Sequence, residues 1–131
     1  MRYLVLLKAV STAMSPPSPD LMAAIITLGE EAKNAGVLLD TQGLQPSDAG
    51  SRVTLAQGQL TAADGPFTES KELISYALYE VRSKEDAVEW TNRFLKLHRD
   101  LWPGWDGEAD VLKVFGPEDL APPAGDLGGS A

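Results

Sequence analysis

The chain has 131 residues, 44% hydrophobic and 23% charged, the balance of one globular domain able to bury a core. Its 19 acidic and 11 basic residues give a formal charge of −8, and Lys and Arg are scattered singly, so no nucleic-acid partner is expected. The absence of cysteine excludes disulfides, thiolate metal sites and a Cys nucleophile, and a single histidine excludes a His-rich zinc site.

Arg2 is followed by the apolar run Tyr3-Leu4-Val5-Leu6-Leu7, which Lys8 ends. The run is shorter than the roughly 7–15 residues of a signal-peptide core, and no stretch approaches a membrane span. A cytoplasmic protein without a membrane partner is expected. Residues 2–8 read as a strand apolar on both faces: Tyr3, Val5 and Leu7 on one, Leu4 and Leu6 on the other. The Ser/Pro-rich segment 11–19 reads as a loop, with Ser18 as N-cap and Pro19 at the first helical position. Leu21, Ile25, Leu28 and Ala32 then recur at helical spacing, and Gly36 ends the helix.

Val37-Leu38-Leu39 begins a second strand, which gives way to turn-rich residues 43–50. Those glycines carry no phosphate-loop pattern, and no acidic cluster has calcium-loop spacing, so neither cofactor nor metal is expected. Residues 53–56 and 59–62 flank Gln57-Gly58, a hairpin turn. Next comes Asp64-Gly65-Pro66-Phe67-Thr68-Glu69-Ser70-Lys71-Glu72, a turn, an aromatic side chain and several charges held in a rigid loop. Leu73 to Val81 is a further strand apolar on both faces, with Ile74, Tyr76 and Leu78 on one of them. Ser83 caps a second helix, whose apolar stripe runs through Ala87, Trp90, Phe94, Leu97 and Leu101 to Pro103-Gly104. Residues 109–115 form a last strand, and 117–131 a Pro/Gly-rich tail after a domain spanning 1–116.

This β-α-β, β-α-β order predicts an α+β sandwich of the ferredoxin-like kind. Two helices cover one sheet face, yet the strands at 2–8 and 73–81 are apolar on both. A second copy on the free face is therefore expected, giving a homodimer with sheets face to face.

The residues from Asp64 to Glu72 closely resemble the signature of the DGPF proteins, a branch of the YCII-related family. Residues 1–7, 35–39, 43–46 and 83–90 resemble the family's first strand, second-strand region and second helix, so the likeness spans 1–116. The resemblance implies a dimeric α+β barrel. It also implies either a pocket for a cyclic or aromatic small molecule, with or without cofactor-free acid–base chemistry, or a module working with an extracytoplasmic-function sigma factor. A His–Asp pair has been suggested as an active centre in the wider family. This chain departs from it, because its one histidine lies in the second helix.

Five residues carry the expected site. Asp64 is either a general base or a turn former bonded to nearby amides. His98 lies near the edge of the second helix's apolar stripe, as an acid–base group or a packed side chain. Phe67 either walls a ligand cavity or packs into core or seam. Lys71 either binds an anionic ligand or pairs with Asp64. Tyr76 either offers its phenol to a ligand or packs in the core. Trp102 and Trp105 bracket a turn that presents aromatic faces to a flat ligand, or else plugs the barrel end or meets a partner.

Overall fold

The computed structural model describes residues 1–10, 16–67 and 69–120. Strand β1 (Arg2–Ala9) leads through α1 (Pro19–Asn34) to β2 (Leu38–Gly43), and a short 3-10 turn (Ser47–Ala49) precedes β3 (Ser51–Ala56) and β4 (Gln59–Asp64). Then follow β5 (Glu72–Glu80), α2 (Lys84–Leu101), β6 (Gly107–Lys113) and a helical turn, α3 (Pro117–Leu120). Four strands form one antiparallel sheet in the order β2-β5-β1-β6, while β3 and β4 form a separate two-stranded sheet. The larger sheet and its two long helices are the α+β, ferredoxin-like fold expected from the sequence.

The helix boundaries follow local chemistry. Ser18 Oγ accepts from the Leu21 amide at 3.1 Å, Pro19 opens α1, and Gly36 follows it at φ +75°. Ser83 Oγ accepts from the Asp86 amide at 3.1 Å at the start of α2. Gln57 at φ 51° and Gly58 at φ 76° make the two left-handed positions of a tight hairpin between β3 and β4.

Both long helices lie on one face of the sheet. Tyr3, Val5, Leu7 and Ala9 of β1 are buried there with Tyr79, Val81, Leu21 and Ala87, and Trp90, Ala109 and Val111 pack against this core. On the opposite face Leu4 stands opposite Leu78 and Leu112, and Leu6 opposite Tyr76 and Asp110. Leu4, Leu6 and Leu78 are half-buried and Leu112 is exposed.

The alternation expected along β5 holds from Ser75 onward and breaks at Ile74. Leu7 pairs with Ser75 but Lys8 pairs with Leu73, so Ile74 is an extra residue in a bulge. The bulge turns Leu73 to the side of Lys8, away from the helices. The expected loose tail begins with the helical turn α3; residues 121–131, loop residues 11–15 and Thr68 lie outside the described residues. Among the described residues, no helix is long and apolar enough to cross a membrane.

Candidate functional site

The segment after β4 is fastened to the turn at 46–50 by a small set of bonds. The Gly65 amide donates to the Gly50 carbonyl at 2.9 Å, and the Gly65–Pro66 peptide is cis. A Cβ on Gly65 would overlap the Ser47 carbonyl oxygen, so only glycine allows this approach. The Phe67 amide donates to Ser47 Oγ at 3.1 Å. Ser47 in turn donates its amide, at 3.1 Å, and its hydroxyl to the carboxylate of Glu72. Ser47 is thereby locked to Phe67 and Glu72, 20 and 25 residues downstream.

This lock frames a cleft of about 620 Å³ on the side of the sheet away from the helices. Leu44, Pro46, Ala49, Phe67 and Leu73 supply its apolar wall, while Ser47, Lys8, Arg52, Glu69 and Lys71 supply polar groups. The Arg52 guanidinium sits over the Phe67 ring, 4.1 Å from its centroid, and pairs with Glu69 at 2.6 Å. Lys8 pairs with Asp110 at 2.6 Å, and Lys71 with Glu108. All three pairs face solvent, where water and salt screen such a bond and it contributes little, so a ligand anion can replace the carboxylate at small cost.

The cleft's titrations favour fixed charge. A hydrogen bond from its own amide, followed by Arg52, holds the Glu69 carboxyl below the usual range. The hydrogen bond to Asp110 raises Lys8 above the usual amine value. Both groups stay charged at neutral pH, which suits binding more than proton exchange. Among the described residues, no three His, Asp or Glu side chains converge as metal ligands.

The five expected site residues fall in four places. Phe67 and Lys71 line the cleft together, and Lys71 pairs with Glu108 rather than Asp64. Asp64 is exposed at the end of β4 and accepts from Ser51 Oγ at 2.7 Å, outside the cleft wall. Tyr76 stands on the open face beside Leu6, and its hydroxyl donates to Asp40 Oδ2 at 2.8 Å, a bond that raises the phenol's pKa.

His98 is only 4% exposed, which corrects the position expected for it at the helix edge. The chain after α2 folds back, placing Trp105 at 4.6 Å and Trp102 at 6.3 Å between ring centroids, while Phe94, one turn earlier in α2, lies at 4.7 Å. Nδ1 donates to the Phe94 carbonyl at 2.9 Å, and burial pushes the ring's pKa down. The sheet separates His98 from the cleft, since α2 covers the face that Lys8 turns away from.

Arg52, Ser47 and Lys8 are cleft residues that sequence reasoning missed. Arg52 carried a signal: it is the one basic residue between Lys33 and Lys71, next to a predicted hairpin. Ser47 carried none, because its partners lie 20 and 25 residues downstream.

No curated protein matches the chain. The YCII-related domain matches residues 1–95, from β1 to within α2, and the chain belongs to the YCII-related family.

Proposed function

We propose that this protein is a small-molecule-binding module whose ligand is a compact cyclic or aromatic metabolite held in the cleft beside Phe67. The observation that carries this reading is the cleft's make-up: a wall mostly of apolar side chains, with a few polar groups at fixed places, the usual composition of a ligand pocket. The ring packs against Phe67 and Leu73, and a polar or anionic substituent meets Arg52, Lys71 or Lys8. Asp64 acts through the hairpin base, as a positioning residue. The working unit is a homodimer joined through the open sheet face, where Leu4, Leu6, Leu78 and Leu112 have no cover from their own helices.

A thermal-shift screen of cyclic and aromatic acids and their neutral analogues tests this, run on wild type, Phe67→Ala and Arg52→Gln. A ligand at 100 times its dissociation constant adds about 2.7 kcal/mol of stability. The expected result is a hit on wild type that Phe67→Ala weakens strongly and Arg52→Gln weakens for acids only. A hit that both variants keep at full strength places the ligand elsewhere and sinks this reading, as does a library with no hit.

A further inference from the structure

We infer that the β3–β4 hairpin is an arm that clasps a second copy of this chain. The inference rests on the homodimer reading and adds a contact the sheet face alone does not supply.

Every residue of β3 and β4 is exposed. The register pairs Val53 with Ala62 and Leu55 with Leu60, so these four side chains share one face, while Thr54 and Thr61 share the other. Val53, Leu55 and Leu60 are 71%, 69% and 72% exposed, an unusual state for three large apolar residues side by side. A lone two-stranded hairpin is marginal in water and needs a surface against its apolar face. From Val53 to Ala63 there is also no charge and no proline, and the pairing runs without a bulge. Soluble proteins use those devices to keep free strand edges from pairing, and their absence marks an edge meant to be covered.

The arm is aimed rather than loosely hung. Ser51 bonds Asp64 across its base, the Gly65 amide bonds the Gly50 carbonyl, and Arg52 is held by Glu69 and Phe67. Its charge pattern selects the occupant. Membrane binding calls for basic residues beside the apolar face, and the arm has none beyond Arg52 at its root. A second copy carries −8, and an uncharged arm approaches it without the repulsion that the rest of the surface meets. In the homodimer reading the same copy already lies against the open sheet face, and the arm's apolar face extends that apolar contact. In a two-fold dimer each protomer gives one arm and receives one, so every contact occurs twice.

The test is analytical ultracentrifugation of wild type, of Leu55→Ser/Leu60→Ser, and of Thr54→Ser/Thr61→Ser on the polar face, with each fold checked by circular dichroism. Hydrogen exchange of the wild-type arm amides, above and below the dissociation constant, accompanies it. The expected result is a wild-type dimer, arm amides that gain protection on dimerisation, and self-association roughly 30-fold weaker in the leucine double variant but not in the threonine control. A dimer with an unchanged constant and unprotected arm amides overturns the arm and leaves the sheet-face dimer standing. A wild type that stays monomeric at every concentration overturns both.

Discussion

The Glu72 carboxylate, at the first position of β5, holds both the amide and the hydroxyl of Ser47, 25 residues earlier in the chain. Because Ser47 Oγ also accepts from the Phe67 amide, one serine joins the turn at 46–50, the motif loop and the sheet. Ser47→Ala leaves the carboxylate short of one donor and the Phe67 amide without its acceptor. Hydrogen bonds to charged groups contribute about 1.5–3 kcal/mol each, so the variant loses an amount of that order. Urea unfolding at neutral pH measures it; an unmoved midpoint shows that the lock does not stabilise the fold.

Gly65→Ala and Gly43→Ala make an informative pair. The first drives a Cβ into the Ser47 carbonyl, whereas the second meets nothing within 4 Å. The first therefore loses roughly 1–3 kcal/mol and any ligand response of the cleft, as forced contacts do. The second changes stability little. Equal melting temperatures for the two variants contradict the close packing at Gly65.

Gly29 lies inside α1, where glycine costs about 1 kcal/mol relative to alanine. The nearest atom to an added Cβ is Leu38 Cδ2 at 4.0 Å, an ordinary contact distance, in a small cavity between helices and sheet. Gly29→Ala is expected to stabilise the protein by up to about 1 kcal/mol, read as a higher denaturation midpoint. A lower midpoint means that the helix needs its glycine for a reason other than space.

His98 gives a pH dependence whose sign is fixed by burial. The folded ring is held neutral, its pKa below the ordinary 6.5, because desolvation outweighs the favourable bond to Phe94. As pH falls below about 6.5 the unfolded chain takes up a proton that the folded chain refuses, and stability drops until the folded pKa is reached. Above 6.5 this contribution is constant. The lowered carboxyls of Glu31, Glu69, Glu80 and Asp100 act at lower pH, since their ordinary values are 4.5 or less. Denaturant midpoints of wild type and His98→Gln, compared between pH 7.5 and 5.5, separate the effects. Wild type is expected to lose stability across that interval and His98→Gln to hold level; parallel slopes locate the proton uptake elsewhere.

The elements set by short-range chemistry were legible from the sequence. Ser18 and Ser83 capped the helices expected of them, Gln57-Gly58 made the expected hairpin, and the alternation along β1 separated its two faces, though not which of them the helices cover. What escaped was long-range. The bulge at Ile74 is decided by cross-strand register, and no local pattern announces it. The depth of His98 depends on Trp105 returning from beyond a turn, so a helical wheel alone put the ring too near solvent. Phe67 and Lys71 were legible because the motif carries them; Arg52 and Ser47 reach the same cleft only through tertiary contacts.

The strands β2 and β5 meet directly, with Gly43 opposite Ser75 and the Leu44 amide bonded to the Ile74 carbonyl. Everything between them, including the 3-10 turn, the arm and the motif loop, is thus an excursion with a closed neck. Of its described residues none belongs to the buried core of the sandwich. A neck closed in this way lets the excursion change length or sequence without shifting the register of the sheet that carries it.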